Sequence, residues 1–343
     1  MKAVVKGARG HGHVELRDLE PASPGRGQVQ VQVEAAGVCG SDLHIYHDTI
    51  SYNIRTPVVM GHEFSGTVVA LGEGAPPSIG LGDRVTGEPS IHICGQCDYC
   101  RGGQYNMCPQ RQVMGYYHDG CFASHVNATF VHLLPENVSF EAGALTELLA
   151  CCVHSVIEQA GVTAGDLVVV IGPGPVGLFA SLVAMAEGGT VALLGTAADA
   201  ERLNFARDQL GVAHTIDVQA EDPLRAVEDL SNGYGADVVV ECAGVAPAID
   251  TAFDVVRKRG KVSLMGLPGR KLEVDIEKIS YRELVVSGGI GQRRSAWERS
   301  LRLMESGTID CEKLISHELG LGEFQQAFDM MERQQGLKII LRP

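Results

Sequence analysis

Residues 166–177, DLVVVIGPGPVG, place an apolar run of β-forming residues directly before a glycine-rich turn. Such a run is typical of a buried strand in a parallel sheet, and the apolar segment PVGLFASLVAMAEGG that follows predicts a helix ended by glycines. The turn contains Gly172, Gly174 and Gly177 in a G-x-G-x-x-G pattern, which in this context indicates dinucleotide binding rather than a plain Gly/Pro turn. The glycines would allow a tight turn, close approach of a pyrophosphate and close helix–strand packing.

The same alternation of strand and helix continues on the carboxyl side of this stretch. TVALLG, ADVVVECAG and GKVSLMG are typical of strands, and DAERLNFARDQLG is typical of an amphipathic helix. The segments before residue 150 are instead short, strand-like and separated by Gly/Pro breaks. The sequence therefore predicts an α/β protein with a doubly wound parallel sheet over residues 151–286 and a β-rich lobe over residues 1–150. Residues 287–343 are predicted to return to that lobe as helices, without a further βα repeat.

Four cysteines lie close together in the first lobe, with the spacing C-x2-C-x2-C-x7-C. They are Cys94, Cys97, Cys100 and Cys108. Four thiolates at this spacing can enclose one Zn²⁺ tetrahedrally, and a closed site of this kind is structural because it keeps no open position. Two disulfides or four unrelated thiols are the alternatives, and the lack of a secretory signal disfavours the disulfides.

A second metal site is predicted from Cys39, His62 and Glu63, which stand in the segments AAGVCGSDLHIY and MGHEFSG. A catalytic zinc needs about three protein ligands and an exchangeable position, and a thiolate, an imidazole and a carboxylate would serve. Each of these residues alone would more simply be a surface or packing residue. Together with the cysteine lobe and the nucleotide motif they favour a metal site.

Taken in order, these motifs resemble those of zinc-dependent medium-chain dehydrogenases, in the branch of the sorbitol (polyol) and threonine enzymes. The resemblance covers essentially the whole chain and is carried by GVCGSDLHIY, GHEFSGTV, GDRV, CGQCDYCRGGQYNMC, GALTELLA, VVVIGPGPVG and VVVECAG. It implies a GroES-like catalytic domain formed by residues 1–150 and 287–343, and a Rossmann dinucleotide-binding domain formed by residues 151–286. It also implies two zinc ions per chain and hydride transfer from an alcohol to NAD(P).

Further residues of the catalytic site follow from the resemblance. Glu147 matches a family glutamate in or near the shell of the catalytic zinc, although Leu148 replaces the proline that usually follows it. Ser41 and His44 match a proton relay that takes the proton of the alcohol and passes it to solvent, a task that suits the pKa of histidine. A turn hydroxyl and a surface histidine are the simpler interpretations of these two residues.

The cofactor-binding residues depart from the family at the end of the second strand. Gly195 stands where NAD-preferring members have an aspartate, and Thr196 could donate a hydrogen bond to a 2′-phosphate, so the sequence favours NADP over NAD. Asp199 is predicted to cap the next helix. The resemblance assigns further cofactor contacts to Pro175, Val176, Arg202, Met265, Gly266, Leu267, Ile290 and Gly291.

Composition limits the partners. The 343 residues carry a formal net charge of −14, which disfavours nucleic acid and anionic membranes. The first twenty residues contain no apolar stretch, so no signal peptide is predicted and the expected location is the cytoplasm. The resemblance and the open edge of the predicted sheet suggest a homo-oligomer, either a dimer or a tetramer.

The expected substrate is a small alcohol, and a polyol or sugar alcohol oxidised at a secondary hydroxyl fits this branch best. L-Threonine is the alternative, but LLACCVHS replaces the segment that follows the carboxylate in threonine enzymes. A nucleotide- and zinc-binding protein without turnover is a third possibility, and the intact Cys39, Ser41, His62 and Glu63 argue against it.

Overall fold

The computed structural model describes residues 1–50 and 52–343. They form two compact units, one of residues Met1–Glu147 with Arg293–Pro343, and the other of residues Leu148–Gln292. The predicted boundaries at residues 150 and 287 fall a few positions from these limits. Within the described ranges, no helix has both the length and the apolar character that crossing a bilayer requires.

The first unit begins as a β-rich lobe with short helices. Its elements up to residue 144 are β1 (Lys2–Lys6), β2 (Val14–Asp18), β3 (Val29–Gly37), α1 (Gly40–Tyr46), β4 (Val58–Val59), β5 (Glu63–Leu71), β6 (Arg84–Gly87), β7 (Ser90–His92), α2 (Asp98–Arg101), β8 (Gln112–Val113), β9 (His125–Ala128), β10 (Val131–Leu133) and α3 (Phe140–Ala144). Alternating residues of β3 point into the core, where Val31 and Val33 pack with Phe64 and Phe122.

The pairing of β3 with β5 is what positions the first candidate site. The two strands are antiparallel, and Gly37 at the end of β3 lies opposite Glu63 at the start of β5. A Cβ added at Gly37 would collide with the Glu63 carboxylate, so only glycine fits at that position. Because of this register, the loop after β3, which carries Cys39, and the residue before β5, His62, lie at the same end of the sheet.

The second unit is built of βα repeats. Its elements are α4 (Thr146–Val153, which starts at the unit boundary), β11 (Leu167–Ile171), α5 (Pro175–Ala186), β12 (Thr190–Gly195), α6 (Ala200–Leu210), β13 (His214–Asp217), α7 (Pro223–Leu230), β14 (Ala236–Glu241), α8 (Ala246–Val255), β15 (Val256–Leu264), α9 (Glu277–Tyr281) and β16 (Val285–Gly288). A π-helical segment covers His154–Gln159, and short 3-10 turns elsewhere in the chain cover Tyr105–Met107, Ala197–Asp199, Cys311–Leu314 and Leu321–Glu323.

The six strands of this unit form one parallel sheet in the order β13-β12-β11-β14-β15-β16. This arrangement confirms the predicted doubly wound sheet. The chain winds outward from β11 to β13 and then continues on the other side of β11 with β14. Ligands of such sheets bind where the strand order reverses, at the carboxyl ends of the strands. The glycine turn after β11 lies at that reversal.

The last segment returns to the first unit, as predicted, through α10 (Arg294–Glu305), β17 (Ile315–Gly320), α11 (Phe324–Glu332) and β18 (Lys338–Arg342). The prediction of no further βα repeat is wrong, because β17 and β18 are parallel neighbours with α11 between them. The apolar, buried β18 also pairs with β3. β17, with the sequence ISHELG, was missed because it lacks the continuous apolar run that usually identifies a strand of a βα repeat.

Candidate active site

The structure brings Cys39, His62 and Glu63 together in the first unit. One ligand atom of each residue, a sulfur, an imidazole nitrogen and a carboxylate oxygen, lies within 4.8 Å of the other two. Ligand atoms around a tetrahedral zinc are separated by about 3.3–3.8 Å, so small inward movements would close this set around an ion. His62 and Glu63 are buried, and Cys39 is half-buried.

Asp42 supports this cluster and was not predicted from the sequence. Its Oδ2 accepts a hydrogen bond from the Cys39 N–H at 2.9 Å, and its Oδ1 faces His62 Nδ1 at 3.7 Å. Neither Oδ1 nor Nδ1 has a hydrogen-bond partner among the described residues. A carboxylate behind Nδ1 is the usual support for a histidine whose other nitrogen binds metal. The signal in the sequence is an aspartate three positions after Cys39, where it can cap α1.

The charges around His62 favour a cation. Burial alone would lower the pKa of His62, but its hydrogen bond with Cys39 and the charges of Asp42, Cys39 and Glu147 raise the pKa to about 10. Burial raises the pKa of Asp42 to about 6, against the opposing effect of His62. The donor set and the surplus of acidic groups both fit Zn²⁺, which prefers thiolate, imidazole and carboxylate ligands.

Lys338 is the second residue that sequence reasoning missed. Its Nζ donates to the Glu63 carboxylate oxygens at 2.8 and 2.6 Å and to the Val38 carbonyl oxygen at 2.8 Å. Lys338 and Glu63 are both buried. Burial would lower the pKa of Lys338, but the Glu63 charge outweighs this effect and the pKa is raised. The only signal in the sequence is one lysine at the start of the apolar strand KIILR.

The predicted relay residues lie on α1, next to this cluster. Ser41 Oγ is 3.4 Å from His62 Nε2, and Ser41 also shares a hydrogen bond with the half-buried Tyr116. The ring of Tyr116 lies 5.7 Å from that of His62, between centroids. His44 is one turn further along the helix, half-buried, with Nδ1 at 3.1 Å from Thr49 Oγ1. Tyr116 was missed because nothing in YYHDG distinguishes it from a surface aromatic residue.

Glu147 lies outside the group of three ligand residues. It is buried in the first turn of α4, and its charge contributes to the raised pKa of His62 and of Lys338. Direct ligation of a metal by this carboxylate therefore stays a prediction.

The four cysteines of the lobe also come together. The sulfur atoms of Cys94, Cys97, Cys100 and Cys108 lie within 4.8 Å of one another, and backbone N–H groups donate to three of them. Hydrogen bonds from the backbone N–H groups of Gln96 and Cys97 lower the pKa of Cys94 to about 6, whereas burial raises that of Cys100 to about 12. A set of four sulfurs with this spacing fits a structural zinc.

Buried polar contacts attach the lobe of these four cysteines, residues 94–108, to the rest of the first unit. The Tyr105 hydroxyl donates to the Glu88 carboxylate at 2.9 Å, and His132 Nε2 lies 2.9 Å from the same carboxylate. The β7–β8 pair closes the base of the lobe. Trp297 of α10 stacks on His132 with 5.2 Å between ring centroids. The lobe is thus tied to two distant parts of the unit.

All predicted cofactor contacts lie at the carboxyl edge of the parallel sheet. The turn after β11 contains Gly172, whose φ of +99° suits glycine, and Gly177, where an added Cβ would collide with the Gly172 carbonyl oxygen. Gly174 precedes α5, and a Cβ there would meet nothing within 4 Å. Of the remaining predicted contacts, Arg202 lies in the first turn of α6, and the others follow the ends of β11, β12, β15 and β16; these are Pro175, Val176, Thr196, Met265, Gly266, Leu267, Ile290 and Gly291.

The end of β12 differs from the prediction in two respects. The Thr196 hydroxyl donates to Asp199 Oδ2 at 2.8 Å, and the Thr196 N–H donates to the same oxygen at 3.0 Å. Asp199 is the residue before α6, but its side chain makes no cap hydrogen bond to that helix, so the predicted helix cap is wrong; the carboxylate instead bonds Thr196 at the start of the preceding 3-10 turn. The hydroxyl that was predicted to bind a 2′-phosphate is already used within the protein.

Comparison with known proteins agrees with this geometry. The alcohol dehydrogenase GroES-like domain family matches residues 25–136, and the zinc-binding dehydrogenase family matches residues 175–306. The chain is 40% identical over 346 residues to sorbitol dehydrogenase of Halalkalibacterium halodurans, covering 100% of this chain and 99% of the relative. It is 36% identical over 344 residues to D-arabitol-phosphate dehydrogenase of Enterococcus avium, covering 99% and 97%.

A solved structure is similar over the same extent. A zinc-binding dehydrogenase from Sinorhizobium meliloti 1021, crystallised with NADP, superposes with a TM-score of 0.88 at 32% identity, covering 100% of this chain and 99% of the other. Motifs, fold and full-length relatives agree from one end of the chain to the other. The chain belongs to the zinc-dependent medium-chain dehydrogenases of the alcohol dehydrogenase superfamily.

Proposed function

We propose that this protein is a zinc-dependent dehydrogenase that oxidises a secondary hydroxyl of a polyol or sugar alcohol to a ketone with NAD(P). The observation that carries the proposal is the convergence of Cys39, His62 and Glu63, whose ligand atoms lie within 4.8 Å of one another. The glycine turn at the strand reversal of the parallel sheet supports the assignment of a nicotinamide dinucleotide as the cofactor. The similarity to sorbitol and arabitol-phosphate dehydrogenases supports the substrate class.

Two zinc ions per chain are part of the proposal. Cys39, His62 and Glu63 would hold one, with Glu147 nearby, and the four lobe cysteines would hold the other. When bound, the first zinc supplies Lewis acidity that makes an alcohol hydroxyl more acidic, and the nicotinamide accepts the hydride. Lys338 keeps the Glu63 carboxylate in place, and Asp42 orients His62.

The residues of α1 would handle the proton. Ser41 Oγ lies beside His62 Nε2, and its hydrogen bond with Tyr116 restricts its orientation. From that position Ser41 can accept the hydroxyl proton of the substrate while it releases its own hydroxyl proton toward solvent. His44 is half-buried one turn further along, where its imidazole can exchange a proton with solvent.

Replacement of Ser41 by alanine should lower kcat by about a hundred-fold, the contribution of a positioned proton acceptor. Zinc content and the far-ultraviolet circular dichroism spectrum should not change, because Ser41 is not among the three ligand residues. Ser23→Ala, in an exposed loop, is the matched control and should keep the wild-type kcat. Full turnover by zinc-loaded Ser41→Ala would remove Ser41 from the proton path.

The substrate class is tested by following reduced nicotinamide with sorbitol, a pentitol phosphate, 2,3-butanediol and L-threonine, each with NAD and NADP. The expected result is the highest kcat/KM for a polyol or its phosphate. Highest kcat/KM for threonine would replace the polyol assignment, and no turnover by a protein with two zinc ions would support a non-catalytic role.

We do not propose the NADP preference predicted from Gly195, because the Thr196 hydroxyl already donates a hydrogen bond to Asp199.

We further propose a homo-oligomer, since β16 forms an edge of the described sheet and Val285 on it is exposed. A cytoplasmic location suits a lobe whose four thiols must stay reduced to bind metal.

A further inference from the structure

Asp199 lies beside the strand end where this fold usually places the acid that selects the cofactor. In dinucleotide-binding units, an aspartate or glutamate at the end of the second strand binds the adenosine ribose hydroxyls. Here that strand ends at Gly195. A Cβ added there would lie 2.9 Å from Cγ of Pro173 and 3.2 Å from Cβ of Asp199. The side chain of Asp199 therefore fills the space beside the strand end, next to the first residues of the glycine turn.

The carboxylate of Asp199 is held in a defined orientation. Its Oδ2 accepts hydrogen bonds from the N–H and the hydroxyl of Thr196, at 3.0 and 2.8 Å. Its Oδ1 lies 4.0 Å from Nη1 of Arg202, beyond hydrogen-bond distance, so this oxygen keeps the capacity to accept a hydrogen bond. The side chain is 18% exposed, so it is neither fully buried nor fully solvated.

We propose that Asp199 replaces the missing strand-end acid, accepts a hydrogen bond from a hydroxyl of the adenosine ribose, and makes this chain prefer NAD over NADP. This inference rests on the proposed function. A ribose hydroxyl can donate to Oδ1, whereas a 2′-phosphate offers only acceptor oxygens at neutral pH and carries about −1.5 to −2 charges. Placed beside a carboxylate of low exposure, that phosphate would be repelled.

The two residues that could favour a phosphate are both constrained by Asp199. The Thr196 hydroxyl already donates its hydrogen to Oδ2. The Arg202 guanidinium lies 4.0 Å from the Asp199 carboxylate, so any attraction it offers to a 2′-phosphate is opposed by the negative charge of Asp199. Asp199 thus supplies one acceptor for a ribose hydroxyl and reduces the attraction that either neighbour could offer to NADP.

The experiment is calorimetric titration of NAD and NADP into the zinc-loaded full-length protein, with Asp199→Asn as the test variant. Asparagine keeps an oxygen that can accept from Thr196 but removes the charge. The wild type should bind NAD at least about ten-fold more tightly than NADP, and Asp199→Asn should reduce that ratio by about ten-fold, which corresponds to 1.4 kcal/mol. Asp222→Asn is the matched control, because Asp222 caps α7 in the same unit, and the ratio should stay at the wild-type value.

Two results would overturn the inference while leaving the proposed function intact. One is tighter binding of NADP than of NAD by the wild type, which decides the question even if the variant folds poorly. The other is an unchanged ratio in folded Asp199→Asn. Binding of neither dinucleotide to the zinc-loaded wild type would overturn the proposed function and this inference with it.

Discussion

Replacing Cys39 by serine should abolish turnover while the protein stays folded. The Cys39 sulfur is one of the three ligand atoms that the structure brings within 4.8 Å of one another, and a serine hydroxyl is not ionised at neutral pH. Loss of metal assistance removes several kcal/mol of transition-state stabilisation, so kcat/KM should fall by about a thousand-fold or more. Elemental analysis should show the zinc content falling from two ions per chain to one.

The control for this variant is Cys311→Ala. Cys311 is buried in the same unit but belongs to neither group of candidate ligands, so its removal should leave both zinc ions and most of the activity. Loss of zinc from the lobe should have a different effect: Cys100→Ser should lower the stability of the protein, whereas Cys39→Ser should lower turnover while the protein stays folded. Wild-type kcat/KM in Cys39→Ser with two zinc ions still bound would exclude Cys39 as a ligand.

Replacing Lys338 by methionine should cost about 3–5 kcal/mol of stability, the usual effect of leaving one partner of a buried ion pair alone. The Glu63 carboxylate would lose both hydrogen bonds from Nζ and the only basic side chain that the described structure pairs with it. Urea unfolding of the metal-free protein, in which no zinc compensates the Glu63 carboxylate, is followed by circular dichroism and measures the loss as a lower transition midpoint.

Two further variants separate the buried pair from a general effect of removing a lysine. Lys258→Met, at an exposed position of β15, should change stability by no more than about 0.5 kcal/mol. The double variant Glu63→Gln with Lys338→Met should recover part of the loss, because a neutral amide is less costly to bury than an unpaired carboxylate. Equal stability of Lys338→Met and wild type would show that the ion pair contributes nothing.

Much of the fold was predictable from short stretches. The strand before Gly172 and the helix after it were predicted correctly, because apolar residues and glycines in one contiguous segment determine both elements. The helices of the last segment were also predicted, but the parallel β17–β18 pair was not. A polar, alternating segment such as β17 is only weakly recognisable as a strand from its sequence. Its pairing with β18 depends on how α11, which connects the two strands, packs in the folded protein.

In the candidate sites too, some features could be predicted from short stretches of sequence and others could not. The residues of the two candidate metal sites could be read from the sequence, since the lobe cysteines are close neighbours along the chain and Cys39, His62 and Glu63 stand in distinctive motifs. The acid at Asp199 was predicted only as a helix cap, because its distance from the strand end depends on how the turn after Gly195 folds.

By itself, the sequence determined which chemical groups this protein offers. They are a set of four thiols, a set of a thiol, an imidazole and a carboxylate, a glycine turn for a pyrophosphate, and a hydroxyl and an imidazole on α1. Only the tertiary structure decided what surrounds those groups. Lys338 and Glu63 are 275 positions apart, and β18 and β5 lie on either side of β3 in the sheet, so their ion pair depends on strand order and register. Local patterns determine local elements, whereas contacts between distant residues arise only when the sheet is assembled.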